Sequence, residues 1–276
     1  MVDINIKMIA HHVIFIALIS LLPTESLAVD KACYKDHAVL IPKDCDGAIK
    51  NIIFDTTTKP PQLFLNEGEV RTISGGCSLV VNNPSRAIVT EASIRKAVDA
   101  LIKQCPGKGG KLGFSDNPKV VLEIRQRAPP GTEFEGYNPD FPLEKPYCFQ
   151  VPKGKPEVTD QRACIESVHY IAYHKLIKTS SSPVNLTISA FAGMFTDTAG
   201  VIMGDDKKPT NTIVAGSNKC TLYMFTTDQS RIKVVQKDAA PLIVTMLQQC
   251  GTKSGTLNLK GAEGANGRVI VRTYGY

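Results

Sequence analysis

Two distant stretches of this chain carry the same block around a cysteine, and that repeat limits the fold more than any other feature. Residues 104–112 read QCPGKGGKL and residues 249–257 read QCGTKSGTL, agreeing at Gln, Cys, Lys, Gly and Leu in one register. Each block follows an amphipathic helical stretch, Glu91 to Gln104 and Lys237 to Gln249. Each leads into a β-rich run, VVLEIR and RVIVR, whose arginines Arg125 and Arg272 lie 20 and 22 residues past the cysteine. Upstream, Cys33-Tyr34 mirrors Cys148-Phe149, Cys45 mirrors Cys164, and Cys77-Ser-Leu-Val-Val mirrors Cys220-Thr-Leu-Tyr-Met-Phe. The separations are 12, 32 and 28 in the first half and 16, 56 and 30 in the second. The chain is therefore read as two copies of one four-cysteine unit, the second carrying an insertion.

Residues 1–28 stand outside the repeat and have the parts of a secretory signal. Lys7, His11 and His12 precede the apolar run Val13–Leu22, and Ser26-Leu27-Ala28 offers small residues for cleavage. Ten apolar residues fall well short of the roughly 20 that span a bilayer, so no stable membrane insertion is expected. Eight cysteines, all after residue 28, are an even set suited to disulfides in an exported protein, and no Cys-x-x-Cys pair suggests zinc. The domains are set at 29–125 and 147–276. Between them, residues 126–146 (from QRAPPGTEFEGYNPDFPLEK) are rich in Pro, Gly and charge and read as a linker. Arg125-Gln126-Arg127 offers a processing point, which leaves an intact two-domain chain and a cleaved heterodimer both open.

Periodicity and turn signals give each half the order strand, helix, strand, strand, helix, strand. In the first half these are His37–Ile41, Asp44–Ile53, Val70–Ile73, Cys77–Val81, 91–104 and 119–125. In the second they are Cys148–Val151, Thr159–Lys178, Asn185–Phe191, Thr221–Phe225, 237–249 and 267–273. The fold class is α+β: two tandem α/β sandwiches, each a mainly antiparallel four-stranded sheet under two helices, with the two halves free to pack on each other. A helix running back along the preceding strand brings its terminal cysteine to that strand's start. This topology pairs Cys77 with Cys105 and Cys220 with Cys250, leaving Cys33 with Cys45 and Cys148 with Cys164, although four cysteines allow three connectivities.

Chemistry-bearing motifs are sparse. After the signal the chain has three histidines, His37, His169 and His174. His169 and His174, five apart on one helix, point about 140° from each other and cannot share a metal. No GxSxG, HExxH or P-loop spacing occurs, and the Gly-Lys-Gly-Gly-Lys run at 107–111 reads as a turn after a helix. Asp205-Asp206, near Asp197, could hold a cation, but Lys207-Lys208-Pro209 beside them suits an exposed charged loop. The reading is no catalytic residue, no metal, no cofactor and no enzyme. The net charge is +6, and removing Asp3, Lys7 and Glu25, which together carry −1, leaves about +7. Its basic residues are scattered, which favours a solvated surface over binding to nucleic acid or anionic membrane. Asn185-Leu186-Thr187 is a glycosylation sequon. The insertion, about Ala190 to Ser217, mixes Phe191, Met194, Phe195, Ile202 and Met203 with Gly and Asp. It is either a partner-binding loop or an extra hairpin packed on the sheet.

The framework of Cys33, Cys45, Cys77 and Cys105, repeated as Cys148, Cys164, Cys220 and Cys250, has a helix ending in Cys, a Gly-rich turn and a final β run. It resembles the killer-toxin-like fold of secreted fungal proteins, including the smut-fungus killer toxin. The resemblance implies a non-enzymatic effector, a virulence factor secreted to the host apoplast that binds and inhibits a host extracellular protein, with a papain-like cysteine protease or another hydrolase as the target class. The alternative it implies is a membrane-active killer-type toxin processed at the linker.

Overall fold

The computed structural model describes residues 32–35, 41–151, 194–217 and 220–274. The first half contains strand β1 (Ala32–Cys33), helix α1 (Pro42–Lys50), strands β2 (Glu69–Ser74) and β3 (Cys77–Asn82), helix α2 (Glu91–Gln104), and strands β4 (Gly110–Gly113) and β5 (Val121–Gln126). The second contains β6 (Tyr147–Phe149), β7 (Thr212–Ser217), β8 (Cys220–Thr226), helix α3 (Gln236–Cys250), β9 (Ser254–Leu259) and β10 (Val269–Tyr274). Two wholly antiparallel sheets result, ordered β1-β4-β5-β3-β2 and β6-β9-β10-β8-β7. The α+β class and the repeat hold; four strands per sheet is corrected to five.

Local chemistry explains the elements that were foreseen. Helix α2 starts where Thr90 and Ser93 form a reciprocal cap, the Ser93 backbone N–H donating to Thr90 Oγ1 at 3.2 Å. Its buried residues Ile94, Ala97, Val98 and Leu101 recur at i, i+3, i+4 and i+7 and so lie on one face. They meet Leu79, Val81, Leu122 and Ile124 of the sheet, joined by Ala48 and Ile49 of α1. Each of the buried Val, Leu and Ile side chains stabilises the fold by about 1.5–3 kcal/mol on burial. In the second half Ile243, Met246 and Leu247 of α3 pack on Leu222, Met224, Leu257 and Val271 in the same way.

The strands not foreseen are β1, β4, β7 and β9. The Gly-Lys turn after α2 runs directly into β4, and β1 pairs with β4 through Cys33↔Gly110. This carries Cys33 to the end of α2, where it bonds Cys105; β6 pairs with β9 likewise, and Cys148 bonds Cys250. Cys45 on α1 bonds Cys77 at the start of β3, where Asp44 also accepts a hydrogen bond from the Gly76 N–H at 2.8 Å. The expected pairs Cys77–Cys105, Cys220–Cys250, Cys33–Cys45 and Cys148–Cys164 are therefore corrected, because β1 is an edge strand beside β4 and not a neighbour of α1. The elements expected at His37–Ile41, Thr159–Lys178 and Asn185–Phe191, with Cys164, lie largely or wholly outside the described residues.

Residues 126–146 are not a free connector. They cover the second sheet on the side away from α3: Asn258 donates through Nδ2 to the Gly136 carbonyl at 2.8 Å, the Glu144 N–H donates to the Asn258 carbonyl at 2.7 Å, and Tyr147 donates to the Thr132 carbonyl at 2.9 Å. The halves are clasped directly as well. Asn266 donates to Glu67 and to the Ile53 carbonyl and accepts from the Ile53 N–H, while Gly68 and Glu69 donate through their backbones to the Asp228 carbonyl. Among the described residues no helix is long and apolar enough to cross a membrane.

Candidate ligand cleft

Strand alternation sends Leu122 and Ile124 of β5 inward and leaves Glu123 and Arg125 on the outer face. On the second sheet it leaves Arg272 and Tyr274 of β10 and Tyr223 and Phe225 of β8 on the outer face. The register fixes rows across each sheet: Arg71, Val80, Glu123 and Lys111 on the first; Val214, Tyr223, Arg272 and Thr256 on the second. Gly110 pairs with Ile124, and the register of β9 and β10 sets Gly255 opposite Thr273. Arg272 is thus the counterpart of Glu123, and the sequence match of Arg125 with Arg272 is two residues out of structural register.

On the first sheet Glu123 accepts from Tyr34 and, at 2.5 Å, from Arg125. Burial works to raise the Glu123 pKa, but hydrogen bonds from Arg125 and Tyr34 outweigh it and hold the carboxyl below its usual range. Burial, reinforced by Glu123, pushes the Tyr34 hydroxyl up to about 12. Arg71 is joined to Glu69. On the second sheet Arg272 is 3% exposed. Its guanidinium pairs with Glu133 at 2.7 Å, donates to Tyr137 Oη at 2.5 Å and lies 4.5–5.1 Å from the ring centres of Tyr274, Phe149 and Tyr137. Burial, with Tyr137 beside it, raises the Tyr274 pKa well above that of a free phenol.

The two outer faces and residues 126–140 enclose a cleft with two lobes that share Arg71, Tyr137, Asn138, Pro139 and Thr227. The wide lobe, about 710 Å³, has Glu69, Arg71 and Arg125 on one wall and Tyr223 and Phe225 on the other, with Phe134 and Tyr137 contributed by the connecting segment. Tyr223 and Phe225 are ring-on-ring neighbours, their centres 4.8 Å apart. The narrow lobe, about 300 Å³, is polar, lined by Asn51, Asn266, Asp140 and Arg268 among others.

The residues singled out in the insertion go elsewhere. Ile202 is 0% and Met194 9% exposed, both within the second core, so they are core side chains and not a displayed surface. Phe195 and Met203 are half-buried, Lys207 lying over the Phe195 ring. Phe191 and the sequon Asn185 lie outside the described residues, as do His37, His169 and His174. Asp197 accepts from the Ala199 and Val201 N–H groups and Asp206 from the Lys208 N–H, all in exposed turns. Among the described residues no cluster of potential metal ligands occurs.

No protein-family model and no curated protein matches the chain. Among solved structures it is similar to the tandem DUF26 ectodomains of two Arabidopsis thaliana cysteine-rich receptor-like proteins. For PDLP8 the identity is 12% and the TM-score 0.26, over 89% of this chain and 96% of that one. For PDLP5 the values are 12% and 0.26, over 88% and 97%. These neighbours are plant ectodomains where killer toxins were expected. The killer-toxin-like resemblance, and with it the fungal effector, protease-inhibitor and killer-toxin readings, is corrected accordingly. The disulfides suit an extracellular domain.

Proposed function

We propose that this chain is a non-catalytic extracellular binding protein whose ligand seats in the wide lobe of the cleft between the two sheets. The observation that carries this reading is the wall of Tyr223 and Phe225 facing Arg71 and Arg125 across about 710 Å³. That volume lies within the range of ordinary ligand pockets, and half-buried rings opposite guanidinium groups supply contact area together with directed polar contacts. The carboxylates at the cleft support a binding role over a catalytic one: Glu69 is engaged by Arg71, Glu123 by Arg125 and Tyr34, Glu133 by Arg272 and Asp140 by Arg127. An acid-base catalyst needs a carboxyl group poised to exchange its proton, and groups held this way are not.

The test is a peptide array and a glycan array probed with the wild type and with a Tyr223→Ala/Phe225→Ala variant of unchanged far-ultraviolet circular dichroism and cooperative thermal unfolding. Binding that falls at least about tenfold in the variant, as expected for the loss of two aromatic anchors, supports the cleft. Binding that is equal in both proteins, or no signal on either array, sinks it.

A further inference from the structure

Among the described residues, Arg268 is the one cation lining the narrow lobe that no carboxylate bonds. It is the residue before β10, and its backbone N–H donates to Thr227 Oγ1 at 3.0 Å, which fixes the start of its side chain beside the lobe. Its Nη1 donates to the Phe141 carbonyl at 2.5 Å. No described residue accepts from its Nε or Nη2, so one whole edge of the guanidinium fork is unengaged. The carboxylate nearest in charge, Asp140, is held by Arg127 at 2.7 Å. The other guanidinium of the lobe, Arg71, is joined to Glu69. Arg268 therefore has no carboxylate of its own among the residues that line this lobe.

The neighbouring amides do not relieve it. Asn51 donates to the Ile73 carbonyl, Asn258 to the Gly136 carbonyl, and Asn138 and Asn266 are tied to Ala128 and to Ile53 and Glu67. Burial pulls the Arg268 pKa below that of a free guanidinium, with Asp140 opposing only in part. A half-buried cation kept without a counter-ion costs stability unless something arrives to meet it. The free Nε–Nη2 edge has the planar two-donor geometry that matches an oxyanion.

We propose that the narrow lobe is an anion seat, in which Arg268 receives an oxyanionic group, carboxylate or sulfate-like, of the ligand held in the cleft. As an assignment of the ligand's chemistry this rests on the cleft reading above, but the seat itself can be tested alone. Thermal unfolding of the full chain is followed while sodium sulfate, or in a second arm sodium acetate, replaces sodium chloride at constant ionic strength. The wild type should show a saturable rise in Tm in at least one arm, sulfate alone indicating an ester-type group and acetate a carboxylate. Arg268→Gln should lose the rise. Arg268→Lys, which keeps the charge and can still reach the Phe141 carbonyl, should need at least about tenfold more anion because it lacks the fork. Arg86→Gln, on an exposed turn and not among the residues that line the lobe, should respond as the wild type.

No rise beyond that in chloride overturns the proposal, as does a full response in a folded Arg268→Gln. Should Arg268→Gln not fold, an unchanged anion midpoint in Arg268→Lys overturns it equally. Array binding lost in the Tyr223/Phe225 variant together with anion indifference would remove the anion seat alone. A sulfate or acetate response with silent arrays would remove the wide-lobe reading and leave the seat standing.

Discussion

Glu123 and Arg272 occupy the same place in the two sheets, yet one is an acid and the other a base. Around Glu123 stand Tyr34, Arg125 and, farther off, Arg71, so the first outer face is a layer of half-exposed charges. Around Arg272 stand Phe149, Tyr274, Tyr137 and Glu133, and residues 126–146 close over it. The inner faces stayed alike while the outer faces diverged. Inner positions answer to packing against a helix, where a change of size or polarity costs several kcal/mol; outer positions are free to take new partners. One copy has an open polar face and the other a covered one, and the space between them is the cleft.

The largest expected effects concern what the halves share. The bonds Cys33–Cys105 and Cys148–Cys250 each tie an edge strand to a helix end, with sequence separations of 72 and 102. On the chain-entropy estimate, replacing both cysteines of either bond by serine lowers stability by about 4–5 kcal/mol. Denaturant melts of the two double variants should agree to within about 1 kcal/mol; a much smaller loss in one half would show that the copies are not held alike. Carried through the repeat, the Cys45–Cys77 bond predicts Cys164 joined to Cys220. A non-reducing peptide map that links Cys164 to Cys148 would break the equivalence.

The charge swap should give the next largest contrast. Arg272→Ala removes a nearly buried cation from Glu133 and from the rings of Phe149, Tyr137 and Tyr274, and should lower stability by about 3–5 kcal/mol, the range for breaking a buried pair from one side. It should also speed tryptic cleavage at Arg127 by loosening the connecting segment. Glu123→Ala acts on a part-exposed network and should lower stability by no more than about 1 kcal/mol. Equal losses in the two variants would mean that the cover adds nothing to the second sheet.

How much of this was legible in the sequence follows the range of the interactions. Helix α2 was read to the residue because its cap and apolar stripe are local, and β2 and β3 because their β-branched alternation is. Strands β4 and β9 escaped because GKLG and SGTLNL look like turn continuations, their pairing resting on distant partners. The disulfide error followed from missing β4, since only β4 brings β1 to the end of α2. Arginine is chemically conspicuous, so Arg125 and Arg272 invited alignment, whereas the register follows the inward Leu122 and Val271. The alternation of Leu222-Tyr223-Met224-Phe225 carries the signal of an aromatic outer face, which the strand assignment at Thr221–Phe225 left unused. That it faces Arg71 depends on how the halves meet, which no local pattern encodes.

The clasp between the halves offers the smallest and most specific test. Glu67 and Asp228 are both buried there, 1% and 0% exposed, and Asp228 keeps only Oδ1 satisfied, by the Ser230 N–H and hydroxyl, while Oδ2 has no described partner. Burial raises the pKa of each above the ordinary carboxylate value; Asp228 adds to the rise at Glu67, and Glu263 to that at Asp228. A raised folded pKa means that the stabilising contribution is present below the unfolded value and is lost as pH climbs through the folded one. Acidification from neutral into the carboxylate range should therefore strengthen the clasp before general acid unfolding begins, the reverse of what the Glu123 network predicts for the first sheet. Asp228→Asn imitates the protonated form and should flatten this rise, with a gain at neutral pH smaller than the loss in Arg272→Ala. Glu123→Gln should leave the rise in place. Stability that falls steadily from neutral to mildly acid pH in the wild type, with the same slope in Asp228→Asn, would show that the clasp carboxylates are ionised at no cost and that the two halves titrate alike.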